Sequence, residues 1–485
     1  MKKIISLLLA FMMLFAVVAC SKDDGNGKDG SDTTVGDTSA DTEDPTVADP
    51  NLPKQDFGGD KVIIVSVDHT GDYNEFSVFE DSVDALDSKV YMRNEAINEK
   101  YNVKIDVIHQ ANGDIVNYVG TQIQTGVAEF DLVNTGYTYQ CTLVQLGLLV
   151  DMNEVPHINT EKGYWSQQML KDANILGKNY FLVSSANLWS MHQASVCFIN
   201  TQLVEDLGFE KTPYDLVEDD EWTFEAFETM TKAAYNDIDQ VPGSSEGDQF
   251  GVVSTPVGPE AMFTAFGGKY IKLDDKNTPT SNAFTNETYS LLTDIIEYWS
   301  KDEAAGPEAA INSVGTFGNG SSLFFVEGIG AIALFNDTEF IVGIAPVPKY
   351  DDNQETYLTP THADWSTALS VPDIPGSNLE KLGAILEDMA YLSHRDVRPE
   401  YYEKNLKARR VQDETSIKML DIIFDHLTFD LGFAINNAGY GARGLARGLV
   451  AAKNTNVVSA FEGYKTQYDS VLQTYLDSIR ENTEE

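Results

Sequence analysis

Basic residues are scarce in this chain: 33 Lys and Arg stand against 76 Asp and Glu, a formal net charge of -43. Phosphate backbones are held by clustered Lys and Arg, so the imbalance excludes nucleic acid as a partner and also weighs against an anionic solute. Cysteine is scarcer still, at three in 485 residues. Cys141 and Cys197 each stand alone in an apolar stretch, with no C-x-x-C or Cys/His spacing, so no metal centre is expected. Spacing does not decide whether the two could bridge; two buried free thiols are the expectation. Past residue 20, no apolar run reaches the roughly 20 residues of a membrane-spanning helix. Neither a repeat period nor an H-E-x-x-H or G-x-x-x-x-G-K-[ST] motif is present, and nothing calls for a cofactor.

The one long apolar run is residues 4–19, preceded by Lys2 and Lys3 and closed by Val17-Val18-Ala19-Cys20. A positive start, a short apolar segment and small residues before a cysteine are the pattern of a secretory signal, residues 1–19, ending in a lipobox. Cys20 is then expected to carry lipid, palmitate included, and to become the first residue of the mature chain. Residues 21–50 hold nine Asp or Glu, two Lys and no aromatic residue. Such a segment cannot bury enough apolar surface to offset its ordering entropy, so residues 20–55 read as a lipidated cysteine and a disordered acidic tether.

Some 430 residues follow, enough for two lobes. Lys61-Val-Ile-Ile-Val-Ser-Val67 reads as a buried strand, Val83, Leu86, Val90, Ile97 and Tyr101 recur at helical spacing, and Val103-Lys-Ile-Asp-Val-Ile108 alternates like a second strand. Further strands are expected at Phe130-Asp-Leu-Val133, Tyr180-Phe-Leu-Val183, Val196-Cys-Phe-Ile199, Phe250-Gly-Val-Val253 and Ala331-Ile-Ala-Leu-Phe335. Asn200 should open a helix that ends at Gly208, and Thr223 should cap the helix beginning Phe224-Glu-Ala-Phe. The prolines of Ile341-Val-Gly-Ile-Ala-Pro-Val-Pro-Lys349 forbid a helix and suggest an extended crossing, with a second hinge candidate at Thr367-Ala-Leu-Ser-Val-Pro372. Alternating strands and helices make an α/β fold whose ligands bind beyond the strand carboxyl ends.

Taken together, the lipobox, the acidic tether, Tyr91-Met-Arg-Asn-Glu-Ala-Ile-Asn-Glu-Lys-Tyr-Asn-Val-Lys-Ile105, Phe198-Ile-Asn200, Pro213-Tyr214, Glu221-Trp-Thr223 and Gly343-Ile-Ala-Pro-Val-Pro-Lys349 resemble extracellular solute-binding lipoproteins of bacterial ABC importers, in the sugar-type family 1. The resemblance implies a two-lobe periplasmic-binding-protein-like fold with hinge strands. Lobe 1 would hold residues 56–190 and a return segment at 345–395; lobe 2 would hold 191–344 and the helical C-terminal segment 396–485. It also implies a monomer, lipid-anchored on the outer face of the cell membrane, that captures a mono- or oligosaccharide and delivers it to ABC permease subunits.

A sugar site needs flat aromatic faces for the ring's C–H surface and polar side chains for its hydroxyls. Loops after strands and near the hinges supply candidates: Asp68 and His69, Asn134 and Tyr137, Trp189 and His192, and His362, Asp364 and Trp365. Trp222, Phe266, Tyr270 and Asn336 are the candidates in the second lobe. A surface-anchored glycoside hydrolase is the rival reading, since carboxylates are plentiful, yet no pair ranks above another and no catalytic residue is nominated. Gly243-Ser244-Ser245-Glu246-Gly247 matches G-x-S-x-G in a polar loop, without the strand a nucleophile elbow needs. Gly439-Tyr440-Gly441-Ala442-Arg443-Gly444 matches G-x-G-x-x-G without a preceding strand.

Overall fold

The computed structural model describes residues 47–484 apart from 70–73, 81, 242, 246, 307–310, 408–413 and 436–437. The signal, Cys20, most of the tether, and Glu246 of the G-x-S-x-G match lie outside the described residues. No described helix is long and apolar enough to cross a membrane.

Among the described residues the strands are, in chain order, β1 (Asp60–Val67), β2 (Val103–Gln110), β3 (Leu132–Gly136), β4 (Ser195–Asn200), β5 (Phe250–Ser254), β6 (Ile271–Leu273), β7 (Pro279–Ser281), β8 (Ala304–Ala305), β9 (Ser322–Gly328), β10 (Val342–Pro346), β11 (Thr359–Pro360), β12 (Thr367–Ser370) and β13 (Leu427–Thr428). Two main sheets result, ordered β12-β3-β1-β2 and β10-β4-β9-β5-β8. In the first, β1 runs parallel to β2 and β3, and β12 returns antiparallel to β3. Its faces are apolar on both sides: Val62 and Ile64 enter one core cluster and Val65 and Val67 another. That two-sided burial explains why β1 is a continuous apolar run.

Helix Ala85–Tyr101 covers this sheet. Asp84 caps it by accepting from the Leu86 and Asp87 amides, and Asn102 ends it in the left-handed region at φ 46°. The return helix Leu379–Leu392 packs beside it, so Tyr101 donates to Asp388 Oδ2 at 2.7 Å while Lys100 pairs with the same oxygen. In the second sheet Asn200 caps helix Thr201–Leu207, which ends at Gly208, and Thr223 caps helix Phe224–Ala234, both as the spacing predicts. Cys141 and Cys197 are buried and free.

Three expectations need correction. Residues 180–183 form no sheet strand; Leu182 makes only an isolated bridge to Leu369, and the run is apolar because it is buried. Residues 331–335 lie in the helical turn Ile329–Phe335. The return to the first sheet does not start at 345, because β10 pairs with β4 through Pro346. The crossing lies later, where β11 pairs with β13 and Ala194 bridges Thr361. These three adjoining segments form a seam between the sheets. Lys269 ties it further: its Nζ donates to Thr428 Oγ1 and the Phe429 carbonyl and pairs with Asp172 at 3.1 Å. The C-terminal helix Lys465–Glu484 touches both lobes, with Tyr468 donating to the Tyr270 carbonyl and Tyr475 to that of Cys141.

Candidate functional site

The carboxyl ends of β1 and β3, the short helix Leu188–His192 and the turn before β12 converge on one rim. His69, just past β1, lies 4.2 Å from the Trp189 ring and 5.9 Å from that of Trp365; Trp189 is 4.8 Å from His192. Trp365 is 48% exposed, so a large flat apolar face meets solvent there. Both His69 ring nitrogens are buried without hydrogen-bond partners among the described residues. Burial, with some help from nearby His192, lowers its pKa to about 4, so the ring is a neutral, aromatic part of this tilted ring cluster.

Asp364 stands beside Trp365. Its Oδ1 accepts from Thr138 Oγ1 at 2.7 Å, and its backbone carbonyl accepts from Asn112. Gly136 allows this approach: a Cβ there would lie 2.6 Å from the Asp364 carbonyl oxygen.

The facing rim comes from the second sheet. Glu260 projects from helix Val257–Ala265, Glu327 from the end of β9, and Arg443 from helix Ala438–Ala451. Arg443 donates twice to Glu260 Oε2, at 3.0 and 2.8 Å, and once to His362 Nε2 at 3.1 Å, and it lies 3.6 Å from Asp364 Oδ2. Arg447 also donates to Glu260. Burial, then Arg443, pulls the His362 pKa down to about 4. Glu327 accepts from Thr255 Oγ1 and the Gly328 amide, and burial raises its pKa. Gln193, Glu260, Glu327, Thr361, His362 and Arg443 line a cavity of about 40 Å³ between the rims, room for a water and too little for a sugar ring.

The sequence-predicted residues therefore divide. His69, Trp189, His192, His362, Asp364 and Trp365 gather at the rims, and Asp68 is exposed at the end of β1. The His192 ring rests on Gly330, where a Cβ would come within 2.1 Å of it. The expectation that the other six line the gap is corrected. Asn134 is fully buried, donating to Glu75 and Ser66. Tyr137 is buried with its hydroxyl 2.8 Å from Ser190 Oγ. Trp222 is wholly enclosed, donating to the Pro346 carbonyl and edged against Phe227 and Phe324. Phe266 stacks near Phe224, and Tyr270 on Phe263, inside the second lobe. Asn336 is exposed and bonds back to Ala333 of its own turn. Sequence reasoning missed Glu260, Glu327 and Arg443, because charged residues in helical or strand patterns read as solvated faces, and Glu75, because an acidic residue on a loop carries no burial signal.

Two α/β lobes meeting at a seam, with aromatic and charged rims at the strand carboxyl ends, define a solute-binding protein. The profile of the bacterial extracellular solute-binding protein family matches residues 93–372, more than half of the chain, and the chain belongs to that family. Its members bind solutes and perform no catalysis, so the hydrolase reading is dropped. The G-x-G-x-x-G match falls inside helix Ala438–Ala451, not at a strand-to-helix turn.

Solved structures agree on the fold. The ABC substrate-binding protein Lmo0181 from Listeria monocytogenes, in complex with cycloalternan, is 13% identical with a TM-score of 0.54, covering 86% of this chain and 99% of that one. The cyclic alpha-maltosyl-1,6-maltose binding protein from Arthrobacter globiformis is 13% identical with a TM-score of 0.57, covering 86% and 100%. The sugar-binding protein MalE from Xanthomonas citri is 13% identical with a TM-score of 0.58, covering 85% and 97%. A comparison with curated protein sequences finds no match.

Proposed function

We propose that this chain is the lipid-anchored receptor of an ABC importer, capturing an oligosaccharide between its lobes and presenting it to permease subunits. The observation that carries the sugar assignment is the half-exposed Trp365 indole beside the tilted Trp189–His69 ring pair, with Asp364 next to it in the chain. A pyranose offers an apolar C–H face to such a ring and hydroxyl donors to such a carboxylate. The solved neighbours named as binding cycloalternan and cyclic alpha-maltosyl-1,6-maltose support the same ligand class. Among the described residues the rim arginines Arg443 and Arg447 are both paired with Glu260, which favours a neutral sugar over an anionic one.

Because the rims touch through Arg443, binding requires them to part and then close again on the solute. Closure is driven by contacts the solute makes only with the closed form. Calorimetry with linear and cyclic gluco-oligosaccharides tests this reading: stoichiometric binding with unaltered sugar supports it, and product formation or no binding across the panel refutes it. For the anchor, the Val17-Val18-Ala19-Cys20 lipobox is the supporting feature. Labelled palmitate should enter the wild-type protein and be lost in Cys20→Ser.

A further inference from the structure

Glu75 lies on the loop after β1, and its carboxylate is fully buried. Oε1 accepts from the Trp189 backbone amide at 2.9 Å and from Thr367 Oγ1 at 2.6 Å; Oε2 accepts from Asn134 Nδ2 at 2.6 Å. One side chain therefore gathers the β1 loop, the end of β3, the start of β12 and the first turn of helix Leu188–His192. The Trp189 amide is among the first-turn donors that a helix cannot satisfy internally, and Asn187 supplies no side-chain cap.

The loop itself is held from below. Arg93 donates to the Glu75 carbonyl at 2.7 Å and to Ser393 Oγ at 3.0 Å, while Asn94 donates to the Phe76 carbonyl at 2.8 Å. Both residues sit on the buried stripe of helix Ala85–Tyr101 between Val90 and Ile97. The Arg93 guanidinium also supplies the positive charge that offsets the buried carboxylate.

We infer that Glu75 is a positioning residue for solute binding: it fixes the Trp189 backbone and thereby the indole that forms the sugar platform with His69 and Trp365. The inference rests on that platform being the binding surface. The polarity of the network singles out a carboxylate. Asn134 Oδ1 accepts from Asn187 Nδ2, and Asn187 Oδ1 accepts from the Ser184 amide. In Glu75→Gln, the new NH₂ would face a donor. Flipping Asn134 passes the mismatch to Asn187, and flipping Asn187 passes it to Ser184 N–H, so no rearrangement of amides absorbs it.

The test uses the intact protein with maltotetraose and a cyclic gluco-oligosaccharide as probes. The near-ultraviolet circular dichroism band of Trp189 is defined as the difference between wild type and Trp189→Phe. Glu75→Gln should lose that band while keeping its far-ultraviolet spectrum, and its Kd should rise about tenfold to a hundredfold, as expected for losing a hydrogen bond to a charged group. If Glu75→Gln does not fold, Glu75→Asp keeps the charge beside Arg93 but draws the carboxylate back by one methylene; the Trp189 amide should then exchange faster with deuterium and affinity should fall. Binding by wild type with an unchanged Kd and a retained Trp189 band in the variants overturns the inference and leaves the platform standing. No binding by wild type overturns the platform and the inference with it.

Discussion

Replacing Trp365 with alanine separates the binding surface from the folded scaffold. The indole is 48% exposed, and its only ring partner within contact range among the described residues is His69 at 5.9 Å. A large aromatic side chain offers about 150–250 Å² of surface, so roughly 100 Å² of this one is available to a solute. At about 25 cal/mol per Å², covering it contributes about 2.5 kcal/mol, a factor of about 60 in Kd. Titration calorimetry with the oligosaccharide that binds wild type should show that loss, while the thermal midpoint without ligand stays within about 2 °C, because surface substitutions cost less than about 0.5 kcal/mol. An unchanged Kd would refute the platform. So would a midpoint that drops in step with affinity, since it would make Trp365 a structural residue.

The enclosed aromatics should behave in the opposite way. Trp222→Ala empties a fully buried site and strands the Pro346 carbonyl, so it should cost about 3–5 kcal/mol in chemical denaturation while leaving Kd unchanged well below the melting point. Gly383→Ala places a Cβ 1.8 Å from the Pro156 carbonyl; thermal melts should show a loss of at least about 3 kcal/mol, because the backbone itself must move. For His362, burial and Arg443 lower the native pKa from 6.5 to about 4. The unfolded chain therefore binds this proton first, so stability is fully present above pH 6.5, falls as pH drops toward 4 and levels off below, by up to about 3 kcal/mol. Denaturation curves of wild type and His362→Gln should converge across that window, and parallel curves would contradict the shift.

Much of the fold is visible in the residues. The apolar run of β1, the stripe through Val90 and Ile97, and the caps at Asn200 and Thr223 all lie where periodicity and cap chemistry put them. The seam is not visible, because β11 and β13 are two residues each and no pattern emerges from so short a pairing. Aromatic type proved a weak guide to the site. Trp222 and Trp365 look alike as letters, yet one fills the second lobe and the other faces solvent. Arg93 and Asn94 carried a signal that went unused: polar residues placed on the buried stripe of an amphipathic helix must be bonded inside the fold, and what they bond is the loop of Glu75.

The C-terminal helix bears on movement. It grips the second lobe at Tyr270 and the first at Cys141 and Gln145, well apart in sequence from the seam at Thr359–Pro360 and Leu427–Thr428. Tyr270 follows directly on Lys269, which ties the seam to Thr428 and Phe429, so on the second lobe the helix is fastened beside the seam and on the first lobe at Cys141 and Gln145. If the lobes part for a solute, this strap must bend with them or let go of the Cys141 and Gln145 carbonyls.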